Sequence, residues 1–231
     1  MSQPPHAAKP PIRAVTFDLD GLMFNSEELY QEVGATLLAR RGKQITGELL
    51  NQMMGRQAHA ALGVMIQWHG LAESPAQLEA ESAEIFVDLL PARLRPMPGL
   101  LDLLAALERA GVPKAIATSS GRTFVDRALG LFELAPRFAF ILTAEDVAHG
   151  KPAPDVYLLA ADRHRIAPHE MLVLEDSQNG CRAAVAAGAV TVAVPHGQST
   201  THEFPGVAFE ASSLADPRIY ARLGIRAPDN P

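Results

Sequence analysis

The chain has 231 residues, 48% of them hydrophobic and 20% charged, with a formal net charge of −6 at pH 7. That balance suits a globular protein with a sizeable core and excludes extended disorder, while an acidic excess without clustered Lys and Arg argues against a nucleic-acid or anionic-membrane surface. One cysteine, Cys181, leaves no intrachain disulfide, and no apolar run reaches the roughly 18 residues of a membrane span, so a cytoplasmic location is expected.

Residues 1–11 are proline-rich, lack an apolar run and read as a disordered tail. Residues 12–17 form the first of five short apolar, β-branched-rich runs, the others being 115–118, 138–142, 171–174 and 190–194. Each predicts a strand buried on both faces. Four of the five lead into helical patterns, the order that builds a parallel sheet through right-handed crossovers. The predicted fold is therefore α/β, a doubly wound parallel-sheet, Rossmann-like core assembled from 12–26 and 97–222.

About ninety residues separate the first two strands, too many for a plain crossover, and 27–96 predict an inserted all-helical cap. Ser26 suits an N-cap, with Glu27 and Glu28 in the first turn and Leu29, Val33 and Leu37 on the apolar face before Gly42. Helical patterns follow over 46–54 and 57–69. Ser74, Pro75 and Gln77 make a capping-box signature for a fourth helix with a buried stripe of Leu78, Ile85, Phe86 and Leu89. Pro91 and the Pro96–Gly99 stretch punctuate the return to the core. Trp68, Met53 and Met54 read as core of the insert.

Two acidic pairs end strands. Asp18 and Asp20, spaced by two in Phe17-Asp18-Leu19-Asp20-Gly21, project to one side of an extended chain. Glu175 and Asp176 precede Ser177 and a helix opening near Gly180; a cap explains one acid there, not both. In open α/β sheets ligands bind at the carboxyl ends of the strands, where both pairs fall. Carboxylates converging there call for a hard, oxygen-preferring divalent cation, Mg²⁺ first among them. Thr118 and the amides after it, with Ser119 next in the chain, suit an anion at a helix start, and Lys151 in Gly150-Lys151-Pro152-Ala153-Pro154-Asp155 adds a compact positive charge. Taken singly, each has a blander reading as a turn, cap or solvated residue.

In order, these four motifs resemble those of the haloacid dehalogenase superfamily, in its branch with a helical cap after the first strand, which contains β-phosphoglucomutase-like and phosphoglycolate phosphatase-like enzymes. The resemblance covers roughly residues 12–194. It implies a Mg²⁺-dependent phosphoric monoester hydrolase acting on a small phosphorylated metabolite, such as a sugar phosphate, with Asp18 as nucleophile and Asp20 as general acid and base. By the same resemblance Asp18, the backbone carbonyl of Asp20 and Asp176 hold the metal, with Glu175 binding it directly or through water, while Thr118, Ser119 and Lys151 hold the phosphoryl group and the cap is a lid.

Asn25 departs from the pattern, standing where most relatives carry an acid. It keeps hydrogen bonds but no charge and is expected to support the loop. A phosphosugar mutase is the rival enzyme reading. Tyr30 stands where the mutase has a His and Ala58 where it has a phosphate-gripping Arg, which favours net hydrolysis. A catalytically silent phosphate-binding or receiver-like protein is the non-enzyme alternative, although a receiver would lack the long insert. Arg56, Gln57 and His59, after Gly55, are candidates for substrate selection. His149 reads as a solvated loop residue and Cys181 as a small buried side chain. A monomer or weak homodimer is expected, with neither nucleic acid nor membrane as partner.

Overall fold

The computed structural model describes residues 11–53 and 58–228, so the tail expected over 1–11 falls almost wholly outside them. The chain divides into two compact units, one ending at Asn25 and resuming at Arg95, the other Ser26–Leu94.

The first unit opens with β1 (Ala14–Phe17), four consecutive buried residues. The second unit follows and is helical: α1 (Ser26–Ala39), α2 (Gly47–Met53), α3 (Ala58–His69) and α4 (Pro75–Arg93). The capping box of α4 is formed, Ser74 N–H donating to Gln77 Oε1 at 2.8 Å while Ser74 Oγ accepts from Gln77 N–H. Pro91 does not end the helix as expected. It sits in the last turn, where its missing N–H costs a single bond, and Leu94 N–H closes the end on Leu90 at 3.0 Å. The core of this unit contains Leu29, Leu37, Met65, Leu78, Ile85 and Phe86, with Leu90 buried in place of the expected Leu89. Trp68 is 38% exposed, so its assignment to the core fails, and Met53 is half-buried. Arg41 joins two elements, Nε 2.7 Å from Glu73 and Nη2 2.6 Å from Glu81.

Back in the first unit, α5 (Leu100–Arg109) buries Leu100, Leu103, Leu104 and Leu107, the i, i+3, i+4, i+7 stripe of a surface helix. Then come β2 (Lys114–Ala117), α6 (Arg122–Leu131), β3 (Ile141–Leu142), α7 (Asp155–His164), β4 (Met171–Glu175), α8 (Gln178–Ala186), β5 (Val190–Ala193), β6 (Phe209–Glu210) and α9 (Pro217–Leu223). The six strands form one parallel sheet in the order β3-β2-β1-β4-β5-β6. β3 is shorter than the apolar run suggests, although Ala139 N–H to Lys114 at 2.8 Å continues the pairing upstream. β6 escapes sequence reading because two residues carry no periodicity.

Central β1 has β2 on one side and β4 on the other, so the winding reverses beside it. Its register sets Phe17 opposite both Ile116 and Leu174, which brings the ends of all three strands level. Helices α7 and α8 pack on this sheet through Val156, Tyr157, Ala160, Ala183 and Ala184, against Ala117 and Val173. Small residues on α8 let that helix lie close to the strand ends. Residues 18, 118 and 175–176 thus leave neighbouring strands at the switch point, where open α/β sheets place ligands.

Candidate active site

Asp18 leaves β1 with its N–H on Leu174 O at 3.0 Å, a last ladder bond that fixes its backbone against β4. Its side chain is buried, while that of Asp20 is partly exposed. Between them and the next segment the chain turns tightly, Gly21 N–H donating to Phe24 O at 2.9 Å and Met23 N–H to Leu19 O. Gly21 has φ +74°, and a Cβ there would stand 2.2 Å from Asp176 Oδ2. Both the left-handed backbone and the approach of Asp176 therefore demand glycine. Asn25 Oδ1 accepts Arg95 N–H at 2.7 Å and Asn25 N–H donates to Arg95 O, so the amide ties the outgoing and returning chains together without charge.

At the end of β4, Ser177 caps α8, its hydroxyl accepting from Gly180 N–H at 3.0 Å. Neither acid before it is spent on capping. Glu175 is fully buried and must be compensated. Oε1 accepts from Lys151 Nζ at 2.7 Å and from the Tyr157 hydroxyl at 2.9 Å; Oε2 accepts from Ser177 N–H at 3.1 Å and its hydroxyl at 3.0 Å. A Cβ on Gly180 would fall 1.6 Å from Glu175 Oε1, so the glycine provides the space for this arrangement.

Lys151 joins the two strand ends. Its Nζ donates to Asp18 Oδ1 at 2.5 Å, to Glu175 Oε1 and to Ala117 O at 3.0 Å, and lies 5.0 Å from the centre of the Tyr157 ring. Thr118 Oγ1 accepts Ser120 N–H at 3.0 Å and stands 3.4 Å from Asp20 Oδ2, to which the Ser120 hydroxyl also donates. Ser119, between them, is exposed.

Charge balance in this cluster is unequal. Burial raises the Asp18 carboxyl well above the usual carboxylate range; Lys151 opposes this, and Glu175 and Asp20 reinforce it. Burial alone would lower Lys151, yet the carboxylates of Asp18 and Glu175 outweigh it and hold the ammonium well above its ordinary value. Both directions express one fact: the site has more buried negative charge than a single lysine neutralises. Asp18, Glu175 and Asp176 also offer oxygens within 4.8 Å of one another. An all-carboxylate set with excess charge fits a hard divalent cation such as Mg²⁺.

The fold thus brings together Asp18, Asp20, Thr118, Lys151, Glu175 and Asp176. His59, on α3, is set in the helical unit with Nδ1 3.3 Å from Glu79 and its side chain 66% exposed; Arg56 and Gln57 lie outside the described residues. His149 is exposed and 3.0 Å from Asp155, and Cys181 is buried with its thiol pushed up by burial, so neither joins the cluster. Sequence reasoning missed Tyr157 and Ser120. Tyr157 carried a usable signal, since a tyrosine on the buried face of a core helix needs a partner for its hydroxyl.

Fold and site together define an α/β protein with a cation-competent, lysine-bridged carboxylate cluster at its switch point. The chain belongs to the haloacid dehalogenase-like hydrolase family, whose sequence model matches residues 15–194. It is 33% identical over 214 residues to a probable pseudouridine-5'-phosphatase of Drosophila melanogaster, covering 89% of this chain and 92% of the relative. Hexitol phosphatase A of Escherichia coli is 34% identical over 178 residues, covering 77% and 81%. The crystal structure of a hydrolase of this family from Deinococcus radiodurans, with bound phosphate and sodium, superposes with TM-score 0.75 at 30% identity, covering 95% of this chain and 99% of that one.

Proposed function

We propose that this chain is a Mg²⁺-dependent phosphatase that hydrolyses a small phosphate monoester, a sugar phosphate or similar metabolite, through a phosphoryl group carried on Asp18. The observation that carries the proposal is Lys151, bridging Asp18 and Glu175 beside the hydroxyl of Thr118. A carboxylate nucleophile, an ammonium for phosphoryl oxygens, an anion-binding turn and a second carboxyl group then meet at one place. Relatives named as phosphatases support the same class.

In the first step an oxygen of Asp18 bonds to phosphorus as the bond from phosphorus to the leaving oxygen breaks, and the Asp20 carboxyl gives its proton to that oxygen. Water then attacks phosphorus and passes a proton to the Asp20 carboxylate, while the bond between phosphorus and Asp18 breaks and orthophosphate leaves. Net consumption is one water per ester, and both carboxyl groups are restored. Lys151, with Thr118 and the Ser119 amide, holds the phosphoryl oxygens. Asp18, Asp176 and the Asp20 carbonyl would hold Mg²⁺, which when bound adds positive charge against the phosphoryl oxygens.

Glu175 is given a different role from the direct or water-mediated ligand expected of it. A carboxylate offers about four lone-pair positions, and four donors already engage Glu175. It orients Lys151 and the start of α8, as an outer carboxylate orients the groups of a metal site. The test is orthophosphate release from a panel of sugar, polyol and nucleoside monophosphates in Mg²⁺ and in EDTA. Mg²⁺-dependent release supports the proposal. Conversion of β-glucose 1-phosphate to glucose 6-phosphate faster than phosphate release would overturn it in favour of a mutase.

A further inference from the structure

In the proposed mechanism Asp20 delivers a proton to the leaving oxygen, and its side chain leaves the tight turn after β1. The Ser120 hydroxyl donates to Asp20 Oδ2 in a close contact, and Thr118 Oγ1 lies 3.4 Å from the same oxygen. Ser120 is itself held on both sides of its backbone. Its N–H donates to Thr118 Oγ1 at 3.0 Å, and its carbonyl accepts Ala144 N–H at 3.1 Å, which fastens the bend to the segment after β3. These main-chain bonds fix the Cα–Cβ direction of Ser120, and from it the hydroxyl reaches Asp20.

Thr118 and Ser120 differ in what a bound phosphoryl group does to them. Thr118 has one hydroxyl proton, and donating it to a phosphoryl oxygen takes it from Asp20. Ser120 then remains as the hydroxyl holding the carboxyl group. We infer that Ser120 is a positioning residue for Asp20, holding its carboxyl group in line with the leaving oxygen while Thr118 turns to the phosphoryl group. This rests on the reading of Asp20 as the general acid.

Leaving groups separate this role from a structural one. An alkoxide departs only with a proton, whereas p-nitrophenolate departs without one, so a misplaced acid harms the first and spares the second. We would compare kcat/KM, which reports steps through departure of the leaving group, for p-nitrophenyl phosphate and for the best alkyl phosphate of the panel. Ser120→Ala should lower the alkyl value about 10- to 100-fold, a large part of what a general acid supplies. It should leave p-nitrophenyl phosphate within about 3-fold and inhibition by inorganic phosphate unchanged. Ser120→Thr should restore most of the alkyl activity. Equal losses on both esters with weaker phosphate inhibition, or no loss on either, would overturn the inference. Asp20→Asn, measured alongside, keeps the two claims apart: if it shows the selective alkyl loss and Ser120→Ala does not, the inference fails and the general acid stands. If Asp20→Asn shows no selective loss, the general-acid reading fails and takes the inference with it. Should Ser120→Ala not fold, Ser120→Gly makes the same comparison.

Discussion

The ammonium of Lys151 lies 2.5 Å from Asp18 Oδ1 across 133 residues of chain, and the same nitrogen is 2.7 Å from Glu175. Lysine here is a structural counter-charge before it is anything else. Three strands must end level for one side chain to reach both acids and Ala117 O, and the register of β1 with β2 and β4 provides this.

Replacing Lys151 by Met should therefore destabilise the fold, because two buried carboxylates lose their partner, a change worth about 3–5 kcal/mol. Without the ammonium, the Asp18 carboxyl, already raised by burial, moves further up. The deficit relative to the native chain should narrow as pH falls from 8 to 5 and the cluster takes up a proton. Urea unfolding of both chains across that range checks this, and a deficit independent of pH would count against it.

Gly180→Ala sets two effects against each other. Alanine gains up to about 1 kcal/mol over glycine in a helix. Against this, its Cβ would fall 1.6 Å from Glu175 Oε1. Moving the carboxylate aside breaks hydrogen bonds to a buried charge, each worth about 1.5–3 kcal/mol. The loss wins, and a net destabilisation of about 1–3 kcal/mol is expected. Gly63→Ala, in α3 with nothing within 4 Å of its Cβ, is the control and should stabilise by about 0.5–1 kcal/mol. Thermal unfolding of the two variants should shift in opposite directions.

Stability should also rise with pH between about 4 and 6.5 through His164. Its ring packs on Phe140 with centroids 4.6 Å apart, and burial lowers its pKa from 6.5 to about 4. Between those values the unfolded chain binds the proton and the folded chain does not. The contribution is thus complete above the unfolded value and is lost as pH falls to the folded one. Partial exposure reduces the effect to about 1–2 kcal/mol. His164→Phe should flatten this part of the curve, measured as midpoint denaturant concentration against pH.

The legibility of the chain follows from the range of the interactions. Apolar strand runs and the Ser74 capping box are local, and they appear where the residues predict them, β3 over only the end of its run. Ser177 shows the limit of local reading: once it caps α8, both preceding acids belong to the site, and only the structure assigns the cap. The four donors around Glu175 come from α7, the loop before it and Ser177 at the cap of α8, a convergence that no spacing in the chain reveals. Trp68 misleads for the opposite reason, since hydrophobicity predicts burial only on average and a surface helix can expose a large ring. β6, of two residues, is held by pairing with β5 and carries no pattern of its own.

The measurement that bears most directly on Asp18 as nucleophile is acid quenching during turnover of the best ester, followed by peptide mass analysis, with Asp18→Asn in parallel. The account predicts a phosphoryl adduct on the peptide containing Asp18, and roughly 10³-fold or greater loss of turnover in Asp18→Asn with no adduct. Turnover retained in Asp18→Asn, or an adduct on another residue, would contradict it.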